Sequence, residues 1–252
     1  MANKIDVVND VANKSINQGD LRIANQCEPM SKPLKYSHCF ARAFQPDKLR
    51  PPRAFTRPVL PHSKRKLVLE IGAGKGKHAI EYAKLNPDEV LIAIERTQGK
   101  YQAFAKEVHK IRQAGEKLEN LTPIHADAIP YVTYAIPPNC LDSVYLLYPN
   151  PEPHNPNQRW LNMPFFEFLL SRVKDGGQII LVSNIAEYMQ EAKHQAEAIW
   201  RLPCVLEPVP EDSQRTHFEI KYLARGEVCQ QLTLSKPKGY RTRFDHIYLI
   251  TS

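Results

Sequence analysis

A short apolar run that opens directly into three closely spaced glycines limits most strongly what this chain can fold into. Residues 67–82 read LVLEIGAGKGKHAIEY, and Gly72, Gly74 and Gly76 separate the apolar run from a segment with helical spacing. Glycines allow a tight turn and let a ligand approach the backbone closely. The segment therefore predicts a buried strand, a glycine-rich loop and a helix in succession.

The chain beyond this segment repeats the alternation of apolar runs and helical patterns. Further strands are predicted at 91–95, 122–127, 144–149 and 178–184, and helices at 78–86, 101–115, 165–173 and 185–200. A turn is expected at Gly176-Gly177, and the segments 218–224 and 228–234 are typical of a hairpin. The pattern predicts an α/β fold, with a mostly parallel sheet, helices on both faces and a C-terminal antiparallel hairpin.

The first 65 residues have a different character and are predicted to form an N-terminal arm, partly extended and basic. Residues 1–47 show no core signal, whereas the stretch from Lys48 to Lys66 holds seven Lys/Arg and no Asp/Glu. That stretch accounts for the whole net charge of +7 and suits a phosphate backbone, although its prolines also fit a solvated linker. Residues 66–252 are predicted to form the one folded domain.

Cysteine usage and hydropathy indicate the cellular location to expect. The five cysteines at 27, 39, 140, 204 and 229 include no CxxC pair, so neither a disulfide framework nor a metal site is indicated. The N-terminal sequence lacks the apolar core of a signal peptide, and no apolar run is long enough to span a membrane. A cytoplasmic location without a membrane partner is the expectation.

Three kinds of ligand loop compete for the glycine segment. A GxxxxGK[ST] phosphate loop requires Ser or Thr where His78 stands, and a dinucleotide loop has GxGxxG spacing. The GxGxG spacing, with Glu70 two residues before the first glycine, resembles the S-adenosylmethionine loop of Rossmann-like methyltransferases. Acids at two later strand ends support this interpretation: Glu95 is placed to bind ribose hydroxyls, and Asp127 to reach an adenine amino group. The predicted cofactor-binding residues are Glu70, Gly72, Ala73, Gly74, Gly76, Glu95, Arg96, Asp127 and Ala128.

In such a fold, the methyl-accepting atom is expected to bind at the end of the fourth strand. In this sequence a proline-rich loop follows that strand. The loop reads PNPEPHNPNQRWL, and Asn150 lies between two prolines that stiffen its backbone. Together with the EIGAGKG segment, Asp127-Ala128, the SNIAEY segment at 183–188 and the THFE segment at 216–219, this loop resembles the tRNA (guanine-N7-)-methyltransferases over about residues 67–234. The resemblance implies a Rossmann-like class I methyltransferase that uses S-adenosylmethionine.

The resemblance also implies roles for acceptor-site residues. Asn150 and Glu219 are the catalytic candidates, and the substrate-binding candidates are Glu152, His154, Arg159, Asn184 and Thr216. Two family aspartates are Asn150 and Asn184 here, and most of the family's basic cluster is absent except Arg159. Glu152 and Glu219 remain as carboxylates that could stabilise a methylated, cationic ring, and an Asn150→Asp change is expected to raise guanine-N7 activity.

The implied reaction is methyl transfer to RNA, at N7 of a guanine in tRNA. Two alternatives stay open at this point. The Asn-Pro-x-Pro loop is similar to loops of amino-group methyltransferases, which favours an exocyclic or amide nitrogen, and the chain could also be a catalytically weak RNA-binding relative. The expected partner is tRNA or another structured RNA, no DNA partner is expected, and the oligomeric state is not predicted.

Overall fold

The fold is described by a computed structural model for residues 43–53, 55–58, 60 and 65–249. Most of the segment 1–47, for which the sequence showed no core signal, lies outside these ranges.

Within these ranges, seven strands form one sheet in the order β3-β2-β1-β4-β5-β7-β6. The first five strands and β6 run parallel, and β7 is antiparallel to both of its neighbours. The strands are β1 Leu67–Ile71, β2 Val90–Glu95, β3 Leu121–His125, β4 Leu141–Leu147, β5 Val173–Ser183, β6 Cys204–Pro208 and β7 Gln230–Ser235. The predicted mostly parallel sheet with an antiparallel element near its C-terminal end is confirmed.

Helices cover both faces of this sheet. They are α1 Lys77–Leu85, α2 Gln98–Gln113, α3 Ala128–Ala135, α4 Phe165–Arg172, α5 Ala186–His194, which continues as a π-helical turn over Gln195–Ile199, and α6 His217–Leu223. Because side chains alternate along a strand, Val68 packs in a cluster with α1 and α2 while Leu67 and Leu69 pack in a cluster with α3, α4 and α5. The strands at the centre are therefore apolar on both sides, as buried parallel strands require.

The predicted C-terminal hairpin is wrong in its first strand. Residues 218–224 were expected to be extended, but His217–Leu223 form helix α6. The Thr216 side chain accepts a hydrogen bond from the Glu219 amide at 3.0 Å, so Thr216 is the N-cap from which the helix begins. On one side β7 pairs with β5, and on the other it pairs with β6 at 204–208, a strand that had not been predicted.

Two further local predictions are corrected. Gly176 and Gly177 lie within β5 rather than in a turn. The Gly176 amide donates to the Lys236 carbonyl, and the Gly177 carbonyl accepts from the Lys236 amide. The pairing of β4 with β5 is irregular at this point, and glycine is suited because Gly176 has φ +81°. Helix α3, which had not been predicted, begins after Asp127, whose side chain accepts from the Ile129 amide.

The described part of the arm packs on the face of the sheet that α3, α4 and α5 cover. Phe44 makes ring contacts with Phe165, Phe168 and Phe244, and Phe55 contacts the ring of Tyr131. The Tyr134 hydroxyl donates to the Leu49 carbonyl at 2.6 Å. The described residues of the arm therefore extend the hydrophobic core, while the division of the chain at residue 65 stays a prediction.

The Gly76 position generates a stability prediction. Gly76 has φ +81°, and a Cβ atom there would overlap the buried Phe104 ring of α2. We expect Gly76→Ala to lower the free energy of unfolding by about 3 kcal/mol or more, because left-handed strain and a steric clash act together. Urea denaturation followed by circular dichroism measures the change.

Gly115→Ala is the matched control, because Gly115 has φ +84° and no atom within 4 Å of its would-be Cβ. It should cost only about 1 kcal/mol. Equal losses for the two variants would show that Phe104 does not restrict Gly76.

Candidate active site

A cleft of about 550 Å³ opens at the carboxyl ends of the central parallel strands. Eleven of the predicted site residues line it: Glu70, Gly72, Ala73, Gly74, Glu95, Arg96, Asp127, Ala128, Asn150, Glu152 and Thr216. Five others do not line it: Gly76, His154, Arg159, Asn184 and Glu219. The fold thus gathers the strand ends into one site, as expected for a parallel sheet.

The glycine loop forms one wall of the cleft. All three glycines have positive φ, +83° at Gly72, +61° at Gly74 and +81° at Gly76. The amides of Gly72 and Ala73 donate to the Ile94 carbonyl at 2.8 and 2.9 Å, which fixes the loop against the end of β2. Gly76 is the N-cap of α1 and packs on the Phe104 ring of α2, so the end of the glycine loop lies directly against that helix.

Glu95 joins this loop to the next strand end. One carboxylate oxygen accepts from the Gly74 amide at 2.8 Å, and the other accepts from the Thr97 amide at 2.6 Å. The side chain is 6% exposed. Glu95 is therefore held rigidly at the cleft wall, with its orientation set by two backbone donors.

Glu70 and Asp127 also have partners within the cleft wall. The Glu70 carboxylate lies 3.0 Å from His78 Nδ1, and both side chains are buried. Asp127 is exposed and caps α3 through one oxygen, 2.9 Å from the Ile129 amide. His78 both lines the cleft and orients Glu70.

The proline-rich loop forms the opposite wall. It begins at Tyr148, which has φ +50° and whose amide donates to the Val182 carbonyl. Asn150 donates through Nδ2 to Glu152 Oε1 at 2.9 Å, and Glu152 has φ +46°. Both residues line the cleft, so the loop presents an amide and a carboxylate that are paired with each other.

Arg159 does not line the cleft but bonds to the backbone of this loop from its other side. Its Nε donates to the Pro151 carbonyl at 2.7 Å, and Nη1 pairs with Glu191 of α5. Asn162 reaches the same Glu191 carboxylate at 2.5 Å. The single arginine left in the loop is therefore committed to an internal contact, whereas His154 is exposed outside the cleft.

Glu219 lies behind the acceptor wall and is 0% exposed. Its carboxylate accepts from Tyr148 Oη and from Arg215 Nη2, each at 2.9 Å, and from the Ser213 hydroxyl. Burial alone would raise the pKa of Glu219, but the hydrogen bonds from Arg215 and Ser213 outweigh it and hold the pKa below its ordinary value. Burial also raises the pKa of Tyr148, so its hydroxyl stays a donor.

Asn184 follows β5 and repeats the amide–carboxylate pairing outside the cleft. Its Nδ2 donates to Glu227 Oε2 at 2.6 Å. Neither residue lines the cleft, although the family resemblance placed Asn184 among the substrate-binding candidates.

Aromatic residues at the cleft were not all found from the sequence. Trp160 lines the cleft and also packs edge-on against Phe165. Phe218 lines the rim, is 46% exposed and stacks on Tyr222. Phe218 was missed because its segment was expected to be a strand, and the N-cap residue Thr216 was the signal that could have placed it.

The described ranges contain neither a cluster of metal ligands nor a helix suited to span a membrane. No group of three or more His, Cys, Asp or Glu there is arranged to hold a metal ion. Among those same residues, none of the helices has the length and apolar character that crossing a membrane requires.

The buried Glu219 carboxylate generates a pH prediction. Because its folded-state pKa lies below the ordinary value of 4.5, its ionised form stabilises the fold above that pH. The contribution is lost as the pH falls through the lower folded-state pKa. Wild type should therefore lose more free energy of unfolding than Glu219→Gln between about pH 5 and about pH 3.

Urea denaturation at a series of pH values measures this difference. Glu81→Gln, which removes a half-exposed carboxylate paired with Lys77, is the control and should follow wild type closely. Parallel curves for wild type and Glu219→Gln would contradict the depressed pKa.

Comparisons with known proteins agree with this architecture. The crystal structure of the 16S rRNA methyltransferase KamB superposes with a TM-score of 0.53, at 13% identity, over 68% of this chain and 88% of that one. At that identity the likeness concerns the fold alone, and it confirms the Rossmann-like methyltransferase fold.

Relatives found by sequence are more similar to this chain in identity, but each alignment covers only part of this chain and part of the relative. A bifunctional methyltransferase of Rickettsia conorii is 34% identical over 146 residues, which is 56% of this chain and 26% of the relative. A tRNA (guanine-N(7)-)-methyltransferase of Thermus thermophilus is 29% identical over 164 residues, which is 64% of this chain and 51% of the relative. The chain thus spans between a quarter and a half of the length of these relatives.

A family model matches a larger share of the chain. The model Methyltransf_4, described as "Putative methyltransferase", matches residues 64–230, which include the glycine loop, the proline-rich loop and helix α6. The cofactor of this family is S-adenosylmethionine. The chain belongs to this methyltransferase family, the one that includes the tRNA (guanine-N7-)-methyltransferases.

Proposed function

We propose that this protein transfers a methyl group from S-adenosylmethionine to N7 of a guanine in tRNA. The observation that carries the proposal is the meeting of the glycine loop, Glu95 and the proline-rich loop in one cleft. The first two features suit the cofactor, and the third suits an acceptor nitrogen.

The cofactor half of the cleft suits an adenosyl group with a charged methionine end. Glu95 is fixed by two backbone amides and can accept hydrogen bonds from ribose hydroxyls. Asp127 at the start of α3 is placed for the adenine side, and the glycine loop leaves its backbone open to close approach. When bound, the cofactor supplies an electrophilic methyl group on a sulfonium.

The acceptor half suits a flat heterocycle. Trp160, Met163 and Phe218 supply an apolar and aromatic lining, and Phe218 is exposed enough to stack on a base. N7 of guanine carries a free lone pair, so the reaction needs no general base. The protein then acts mainly by holding the nitrogen in line with the methyl group.

Glu219 enters this proposal as a positioning residue. It ties Tyr148, at the root of the proline-rich loop, to Arg215 and to the start of α6. Since Thr216 and Phe218 line the cleft beside it, one buried carboxylate fixes both walls of the acceptor half.

Charge outside the cleft supports RNA as the substrate. Lys48, Arg50 and Arg53 are exposed on the described part of the arm, which is anchored to the core through Phe44 and Phe55. An anchored row of cations can neutralise backbone phosphates and release their counterions. The proline-rich loop lacks such charge, so the arm is the better site for this role.

The test uses purified protein, unmodified tRNA and S-adenosylmethionine with an isotopically labelled methyl group. After nuclease digestion, mass spectrometry of the nucleosides should show the label in 7-methylguanosine. Label in another nucleoside would favour the amino-group alternative. No label, with cofactor binding shown separately by calorimetry, would overturn the proposed reaction.

Glu95 provides a test of the cofactor half. We expect Glu95→Ala to weaken S-adenosylmethionine binding by about tenfold or more, because two charge-assisted hydrogen bonds to ribose would be lost. Isothermal titration calorimetry measures the affinity. Glu207→Ala removes an exposed acid from β6 and is the control. Unchanged affinity in Glu95→Ala would remove Glu95 from the ribose role.

A further inference from the structure

The acceptor half of the cleft contains one carboxylate among the described residues that line it, and that carboxylate is Glu152. The other lining acids, Glu70, Glu95 and Asp127, follow strands β1, β2 and β3 or lie at their ends, on the cofactor side. Each of those three is also held by a partner in the wall: His78, the glycine loop or the start of α3. Glu152 is the acid placed beside the acceptor.

The backbone around Glu152 is unusually constrained. Pro151 and Pro153 flank the residue, and its φ of +46° is one that non-glycine residues seldom adopt. Such a conformation is strained and persists only where the surroundings determine it. Arg159 supplies part of that constraint by donating to the Pro151 carbonyl at 2.7 Å.

Asn150 orients the Glu152 side chain. Its Nδ2 donates to Glu152 Oε1 at 2.9 Å, and its Oδ1 lies 3.4 Å from the Glu152 amide. An amide at position 150 can donate to a carboxylate at 152, whereas a carboxylate at 150 could not. The pair therefore presents one negative charge at the cleft, located on Glu152.

The other carboxylates near the acceptor wall are not available for this role. Glu219 is fully buried, and its charge is matched by Arg215 at 2.9 Å. Glu227 accepts from Asn184 outside the cleft. Glu152 is half-buried, so its charge is less screened than that of an exposed acid.

In the proposed reaction positive charge moves towards the acceptor, and a carboxylate near the acceptor can stabilise it. The acceptor nitrogen gives its lone pair to the methyl carbon as the carbon–sulfur bond breaks, and that bond's electron pair goes to sulfur. Positive charge thus moves from sulfur to the acceptor ring. A fixed anion beside the ring stabilises the transition state more than the neutral substrate, which is the condition for catalysis.

We propose that Glu152, oriented by Asn150, is the catalytic carboxylate that stabilises the positive charge developing on the methylated base. This inference rests on the proposed function. It assigns Asn150 a positioning role and places the charge two residues further along the loop.

The first experiment compares single-turnover methyl transfer to tRNA by wild type, Glu152→Gln and the exchanged double variant Asn150→Asp/Glu152→Gln. Glu152→Gln should slow transfer by about tenfold or more while leaving S-adenosylmethionine affinity unchanged. The double variant restores one carboxylate and one amide donor in reversed positions, so it should recover much of the rate. Asn150→Asp alone, which the family resemblance predicts to raise activity, should not do so if Glu152 is the working carboxylate, because the change removes the amide donor and sets two carboxylates against each other.

Glu207→Gln, on strand β6, is the matched control for loss of one exposed negative charge, and its rate should equal that of wild type. A wild-type rate for Glu152→Gln would overturn the inference. So would a double variant no faster than Glu152→Gln, because charge would then not explain the loss. An inactive wild type would instead overturn the proposed function.

A binding measurement tests the same charge without turnover. At mildly acidic pH, where 7-methylguanosine is cationic, wild type with bound S-adenosylhomocysteine should bind 7-methylguanosine more tightly than guanosine. Glu152→Gln should abolish that preference, and calorimetry or NMR titration would measure it. Equal affinity of wild type for the two nucleosides would contradict the role of Glu152 whether or not tRNA is methylated.

Discussion

The parallel pairing of β1 with β2 and β4 fixes where the main loops that line the cleft begin. Ile71 pairs with Ile94 and with Leu146, so the three strands end at the same level. A slip of one residue would turn the apolar side chains of a central strand to the opposite face, and the clusters on both faces exclude it. The loops that follow these strands must therefore meet, whatever their own sequences are.

The glycine loop and the proline-rich loop meet this requirement by different means. The first is held by backbone hydrogen bonds from Gly72 and Ala73 to β2 and by the rigid Glu95 carboxylate. The second is held by side chains from elements far along the chain, Glu191 and Glu219. Local backbone contacts therefore hold the first wall, whereas contacts with distant side chains hold the second.

The same difference determines how much the sequence could predict. An apolar run followed by glycines is a local signal, so the first strand, the loop and the acid at Glu95 were predicted close to where they lie. Helix α6 was missed because FEIKYLA alternates like a strand, and tertiary contacts of Glu219 together with the cap at Thr216 override that alternation. The pairing of Asn150 with Glu152 depends on backbone angles that the residue types alone do not reveal.

The packing of the arm determines whether the chain can be shortened at its N-terminal side without exposing the core. Phe44 inserts its ring among Phe165, Phe168 and Phe244, and Arg57 bonds to the Leu249 carbonyl while lying over the Tyr248 ring. Sequence positions nearly two hundred residues apart are thus joined on one side of the sheet. A recombinant fragment that started at residue 66 would leave this aromatic surface uncovered, and would be prone to self-association.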